Sequence, residues 1–144
     1  AGSYRAQGYR ETMCALGLPL DERWLVESEN TPAHGYEAAQ QLMARPASER
    51  PTAIACVSDV IAFGVIRHLH DLGIEVGREV AVTGFDDIPA AEHITPPLTS
   101  VHQPLETIGQ RLMEMLLDIL NDPPPKTQQV LIKPQLVLRE SSGG

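Results

Sequence analysis

The most constraining stretch of the sequence is Val80–Pro89, which reads VAVTGFDDIP. An apolar run of strand length ends at Gly84, and two adjacent carboxylates, Asp86 and Asp87, follow it before the proline. A short, continuous apolar run is typical of a parallel strand buried on both faces, and open α/β sheets bind their ligands at the carboxyl ends of such strands. The stretch therefore predicts a buried strand that delivers acidic side chains to a ligand-binding edge.

A second unit of the same kind lies upstream, at Thr52–Val57 (TAIACV). Apart from its first residue this run is apolar, and Ser58 and Asp59 then supply the side-chain oxygens favoured at a helix start. The residues that follow take a helical period. We expect the two strands to lie side by side, with their carboxyl ends at one edge of the sheet.

The remaining elements alternate in the same way, which favours an α/β fold with a three-layer, mostly parallel sheet. The pattern predicts helices over Ser3–Leu16, from Pro32 to about Ala44, over Asp59–Leu72, and from Pro104 to about Asn121. It predicts further strands at Trp24–Glu27, Leu98–Val101, Val130–Ile132 and Leu136–Leu138. The helix that begins at Pro104 is apolar on more than one face, so it needs packing partners on two sides.

Charge and cysteine content limit the classes of function. The chain carries 11 basic and 19 acidic residues, a net charge of −8, which makes it a poor candidate for binding phosphate backbones itself. Cys14 and Cys56 fall in a predicted helix and a predicted strand, as expected of small apolar residues in a reducing compartment. With no apolar run of about 20 residues and no signal peptide at its start, we expect a cytoplasmic protein with no membrane segment.

Several short sequences, in this order, carry a family resemblance: RAQGYRETMCALGL, PTAI, SD, GFDD, TPPLTSV, QP and LVLRES. The chain resembles the C-terminal part of the lactose-repressor/galactose-repressor family of bacterial transcription regulators over nearly its whole length. Members of that family have an N-terminal helix-turn-helix and a two-lobed effector domain similar to periplasmic sugar-binding proteins. The resemblance implies that residues 1–103 form the C-terminal lobe, that residues 104–134 belong to the other lobe, and that residues 135–144 return as a strand and tail.

The resemblance also implies a function. A sugar or small metabolite would bind between the lobes and control the binding of operator DNA through the helix-turn-helix, which this chain lacks. The protein would be a homodimer without a cofactor or enzymatic activity, with its interface on the outer faces of the Ile61–Leu72 helix and the Ala90–His93 turn.

Five positions are candidate ligand-binding residues. Arg5 matches its cleft arginine, whose forked donors suit two hydroxyls or a carboxylate, and Asp86 matches a carboxylate that accepts sugar hydroxyls. Ser58 stands where many members have asparagine, and it reaches less far. Asn30 stands where some members carry a stacking aromatic residue, so a polar contact or none replaces the stacking. Gln103 lies at the crossover between the lobes and could hydrogen-bond the ligand or only the hinge.

Two neighbouring acids are assigned structural roles, Asp59 as a cap of the helix that it begins and Asp87 as a cap of the short helix after Pro89. Two alternatives to a regulator stay open. One is an exported sugar-binding protein of the same fold. The other is a phosphoryl-transfer enzyme in which Asp86, Asp87 and Asp59 hold Mg²⁺, although the sequence has no phosphate-binding loop motif. The histidines are not at metal-ligand spacing, and we predict no metal site.

Overall fold

The computed structural model of the chain describes residues 2–18, 20–121 and 129–144. In these residues the helices are α1 (Gly2–Ala15), α2 (Pro32–Met43), α3 (Asp59–Asp71), α4 (Ala90–His93) and α5 (Leu105–Asn121). The strands are β1 (Ala53–Ala55), β2 (Ala81–Thr83), β3 (Ser100–His102) and β4 (Gln135–Val137). Short 3₁₀ helices occupy Glu22–Trp24, Ala47–Glu49 and Glu140–Ser142.

The strands lie in the order β1, β2, β3, β4. β1 pairs in parallel with β2, Ile54 opposite Val82, and β3 pairs antiparallel with β4, Val101 opposite Leu136. Parallel bridges between Thr83 and Thr99, and between Asp86 and His102, join the two ladders. The carboxyl ends of β1, β2 and β3 therefore lie at one edge of the sheet, which is the edge expected to bind a ligand.

The core is formed mainly by α2, α3 and the β1–β2 ladder. Val65 and Leu69 of α3 are 1% and 0% exposed, and Val82 of β2 is fully buried between the strands and this helix. Side-chain caps begin both helices, as predicted. Thr31 Oγ1 accepts from the His34 N–H at 3.2 Å, and Ser58 Oγ accepts from the Ile61 N–H at 3.3 Å.

Two predicted strands are wrong. At Trp24–Glu27 the chain instead completes a short 3₁₀ helix that begins after Asp21, whose carboxylate accepts from the Arg23 N–H at 2.8 Å. The indole Nε1 of Trp24 donates to the Glu49 carbonyl at 3.1 Å, so this side chain fixes a loop. Val130–Ile132 has no regular secondary structure, because among the described residues no neighbouring strand pairs with it. The other predicted helices and strands occur with shifted ends.

The two cysteines occupy different environments. Cys56 lies directly after β1 and is 4% exposed, and burial raises the pKa of its thiol to about 12. Cys14 is exposed on α1, so the expectation that both cysteines serve as apolar packing residues is wrong for Cys14. Its side of α1 faces solvent.

This difference predicts the reactivity of the two thiols. With Ellman's reagent near pH 8, the folded protein is expected to react with about one equivalent, at Cys14, because Cys56 forms almost no thiolate and is shielded. After denaturation in urea, Cys56 should react with a second equivalent of the reagent. A Cys14→Ser variant, which should be inert while folded, is the control. Two fast equivalents in the folded protein would contradict the buried environment of Cys56.

α5 presents a large apolar surface to solvent. None of its residues is buried, and its exposed large apolar side chains are Leu105, Leu112, Met113, Leu116, Leu117, Ile119 and Leu120. Contiguous exposed apolar surface of this extent marks an interaction surface. Residues 122–128 of the segment predicted to belong to the other lobe lie outside the described residues. No helix in the described ranges has both the length and the apolar character needed to cross a membrane.

Candidate functional site

The candidate site lies at the carboxyl ends of β1 and β2. After β2 the chain passes over the start of α3 through Gly84, where a Cβ atom would lie only 2.2 Å from Asp59 Oδ1. Asp86 and Asp87 then adopt φ angles of 112° and 51°, a region that non-glycine residues rarely occupy. Such backbone strain persists where surrounding contacts enforce it, and it is concentrated at functional sites.

Arg5, Asp86 and Gln103 come together at this edge. Gln103 Nε2 donates to Asp86 Oδ1 at 2.6 Å, and Arg5 Nη2 lies 3.6 Å from the same oxygen. The Arg5 guanidinium also donates to the Val57 carbonyl, and its Cζ atom lies 3.6 Å from the centroid of the Phe85 ring. The side chains of Arg5 and Asp86 are 23% and 35% exposed, so a cation and a carboxylate reach solvent together.

Asn30 and Ser58 form a second pair beside this group. Ser58 Oγ donates to Asn30 Oδ1 and also accepts from the start of α3. Ser58 is 3% exposed, whereas Asn30 is exposed. The pair is next to Arg5 because the Val57 carbonyl, which Arg5 binds, directly precedes Ser58. Of these two residues, Asn30 is the one that presents a polar side chain to solvent.

The role predicted for Asp87 is wrong. α4 begins after Pro89 without a side-chain cap in the part of the chain that the structure describes. Asp87 instead accepts from Arg139 Nη1 at 2.7 Å through Oδ1, and its Oδ2 lies 3.0 Å from His102 Nδ1. Sequence reasoning missed Arg139, although the segment LVLRES was recognised, because the pairing of β3 with β4 is what brings it to Asp87.

Asp59 is not the helix cap that was predicted, because Ser58 occupies the cap position of α3. Its side chain instead holds the backbone around the site. Its fully buried carboxylate accepts from the Ile88 N–H at 2.9 Å and from Ser100 Oγ at 2.5 Å. Burial raises the pKa of Asp59, and the charges of Asp86 and Asp87 raise it further, against the opposing effect of the two hydrogen bonds. The carboxylate ties the loop after β2 to α3 and β3.

A cavity of about 450 Å³ lies beside the site, lined by Asp87, His102, Gln103 and the start of α5. Asp86 and Asp87 face the donors of Arg5, Gln103, His102 and Arg139. Within the described ranges, no group of three histidine, cysteine, aspartate or glutamate side chains is placed to hold a metal ion. Because carboxylates and hydrogen-bond donors lie together, the arrangement suits a polar organic molecule that can both donate and accept hydrogen bonds.

The chain is similar to a known protein family and to a curated transcriptional repressor. Residues 1–142 match the family described as periplasmic binding protein-like domain. The HTH-type transcriptional repressor PurR of Erwinia tasmaniensis is 36% identical over 140 residues, which are 97% of this chain and 40% of that protein. The chain therefore spans well under half the length of this curated relative.

Two solved structures resemble the structure of this chain. A regulatory protein of the LacI family from Chloroflexus aggregans superposes with a TM-score of 0.90 and 33% identity, over 97% of this chain and 50% of that chain. The transcriptional regulator CelR in complex with cellobiose has a TM-score of 0.87 and 34% identity, over 95% of this chain and 41% of that chain. Each match covers this chain almost completely and the larger protein in part.

Proposed function

The chain belongs to the periplasmic binding protein-like domain family, and on that premise we propose that it is the effector-binding part of a bacterial transcriptional regulator. The resemblance to the lactose-repressor/galactose-repressor family is confirmed by its regulator relatives and by the LacI-family structures. In this proposal a sugar or a similar small polar metabolite binds at the site and controls DNA binding by the whole protein.

The observation that carries the proposal is the meeting of Arg5, Asp86 and Gln103 at a solvent-accessible edge of the sheet. A sugar hydroxyl can donate to the Asp86 carboxylate while it accepts from the guanidinium of Arg5. The separation of 3.6 Å between Arg5 Nη2 and Asp86 Oδ1 exceeds a hydrogen bond, so both groups keep bonding capacity for a ligand. The CelR structure is a complex with cellobiose, a ligand of the class that this arrangement favours.

Asn30 and Ser58 would complete the site beside Arg5. Asn30 carries an amide with donor and acceptor capacity, and Ser58 orients it through the bond between Ser58 Oγ and Asn30 Oδ1. An amide contacts a sugar by hydrogen bonds and cannot stack on it as an aromatic ring does. Asn30 would therefore select for a hydroxyl at this corner of the ligand.

We propose the same division of the chain that the resemblance predicted. Residues 1–103 and 135–144 would form one lobe, and residues 104–134 would lie in the other lobe, which would cover the exposed apolar side chains of α5. DNA binding would come from a helix-turn-helix outside this acidic chain, in a cytoplasmic homodimer. The dimer interface would use the outer face of α3, where Arg67 and His70 are exposed, and the exposed surface of α4.

The two alternatives are not favoured. The relatives named above are transcriptional regulators. For a magnesium enzyme, Asp86, Asp87 and Asp59 would have to turn toward one ion. Asp87 is paired with Arg139, and Asp59 is committed to Ile88 and Ser100 inside the protein.

Titration of the intact protein by calorimetry tests the proposal, with cellobiose and a panel of monosaccharides, disaccharides and their phosphates. Asp86→Asn and Arg5→Gln are each expected to weaken binding about 10- to 100-fold, since a hydrogen bond to a charged group contributes roughly 1.5–3 kcal/mol. Asparagine is chosen because it tolerates the positive φ of position 86.

The matched control removes the exposed pair of Glu75 and Arg78, which lies away from the edge and should leave affinity unchanged. Affinity that is equal in the wild type and both site variants would show that the ligand binds elsewhere. The absence of binding across the whole panel would refute a sugar as the ligand.

A further inference from the structure

We propose that Arg139 is a positioning residue for ligand binding, because its ion pair with Asp87 holds the backbone that aims the Asp86 carboxylate. This inference rests on the proposed function in taking Asp86 as a ligand contact. The ion pair links residues 52 positions apart in the chain. It therefore connects the segment after β4 with the loop after β2.

The loop needs such support because its backbone is strained. Asp86 and Asp87 both have positive φ, at 112° and 51°, where a Cβ atom is disfavoured. Two consecutive strained residues relax into other conformations unless their side chains and amides are held. A change in φ rotates the Cα–Cβ bond of Asp86 relative to the preceding backbone, so relaxation of the loop would turn the carboxylate away from Arg5 and Gln103.

The side chain of Asp87 is held on two sides. Arg139 Nη1 donates to Oδ1 at 2.7 Å, and His102 Nδ1 lies 3.0 Å from Oδ2. The same Nη1 donates to the Leu98 carbonyl at 2.7 Å. The side chains of Arg139 and Asp87 are only 17% and 12% exposed, so solvent screens the ion pair weakly.

The backbone of Arg139 is anchored independently of its side chain. Its N–H donates to Thr99 Oγ1 at 2.8 Å, and its carbonyl accepts from the same hydroxyl at 2.9 Å. Nearby, Ser141 Oγ accepts from the Thr99 N–H and donates to the Val82 carbonyl. Replacing the guanidinium therefore removes the ion pair while the segment stays attached to the sheet.

The test compares hydrogen exchange in the intact regulator and its variants Arg139→Gln, Arg139→Lys, Asp87→Asn and the double variant Arg139→Gln/Asp87→Asn. Exchange is followed by mass spectrometry on a peptide that contains Asp86 and Asp87 and on one that contains Cys56. In the wild type the Asp86 N–H donates to the Val101 carbonyl at 3.0 Å, and the Cys56 N–H donates to the Thr83 carbonyl at 2.9 Å.

Arg139→Gln is expected to accelerate exchange at Asp86 and Asp87 at least tenfold and to leave the Cys56 peptide within twofold of wild type. Asp87→Asn should accelerate exchange at least as much, because it weakens the contact with His102 as well as the ion pair with Arg139. The double variant should exceed Asp87→Asn by less than twofold, because the ion pair is already lost in the single variant. Arg139→Lys should restore part of the protection, since lysine keeps the charge. Arg78→Gln, which removes an exposed ion pair, is the control and should change neither peptide.

Titration of the same proteins with cellobiose as the probe completes the test, and Arg139→Gln is expected to weaken its binding about tenfold. Unchanged exchange at Asp86, or equal acceleration in the Cys56 peptide, would overturn the proposal, the latter because it reports general destabilisation. Local acceleration with undiminished cellobiose affinity would overturn it as well. Local acceleration in Arg139→Gln, combined with a wild type that binds no saccharide, would refute the proposed ligand class and leave the support of the loop by Arg139 established.

Discussion

Replacement of Gly64 with alanine is expected to lower the free energy of unfolding by roughly 3 kcal/mol or more, because α2 and α3 could not keep their present spacing. A Cβ atom at Gly64 would lie 1.9 Å from the Pro32 carbonyl oxygen and 2.6 Å from the Tyr36 nitrogen. Both are backbone atoms, so rotation of a side chain cannot relieve the clash. A Cβ atom added at Gly35 on the facing helix would also clash, at 2.2 Å from the Ile61 carbonyl oxygen.

The measurement is urea-induced unfolding followed by circular dichroism. Gly8→Ala in α1 is the matched control, because nothing lies within 4 Å of its Cβ position. Alanine has a higher helix propensity than glycine, so the free energy of unfolding of this control should rise by about 0.5–1 kcal/mol. A Gly64→Ala protein with a wild-type unfolding midpoint would mean that the two helices are farther apart than described.

The effect of Gly64→Ala should extend to the candidate site. α3 begins at Ser58 and Asp59, and these residues hold Asn30 and the loop after β2. A shift of α3 away from α2 would therefore displace the groups that position Asp86. The close contact between the helices is a structural condition for the site as well as for the core.

Local patterns in the sequence predicted much of the fold. The apolar runs around Ile54 and Val82 predicted two parallel strands, and the capping residues Thr31 and Ser58 predicted the starts of α2 and α3. These features depend on neighbours within a few residues. The failures at Trp24–Glu27 and Val130–Ile132 concern strands, which require a partner that local sequence does not identify.

In the candidate site, too, some residues could be predicted from the sequence and others could not. The edge formed by two strand ends, together with the family resemblance, predicted that Arg5, Asp86 and Gln103 would be binding residues, and the structure brings them together. The ion pair of Asp87 with Arg139 was missed because it spans 52 residues and depends on the register of β3 with β4. Whether these residues bind a ligand stays a prediction.

Asp59 gives the second large effect on stability. Asp59→Ala is expected to lower the free energy of unfolding by roughly 2–4 kcal/mol, since the Ile88 N–H and the hydroxyl of buried Ser100 would lose their acceptor. Asp59→Asn should cost about 1 kcal/mol, because its amide oxygen still accepts from Ile88. Urea-induced unfolding of the three proteins at pH 7 measures both differences.

The same variants test the raised pKa of Asp59. In the unfolded chain the carboxyl has its ordinary pKa of 3.8, and in the folded protein burial raises it. Between these two values the folded state holds a proton that the unfolded state has released, so wild-type stability falls as pH rises. Asparagine does not titrate. The stability of wild type relative to Asp59→Asn should therefore be greatest below pH 3.8, decline through this window and become constant above the folded pKa. A difference that grows with pH would mean that the hydrogen bonds from Ile88 and Ser100 outweigh burial and hold the pKa below 3.8.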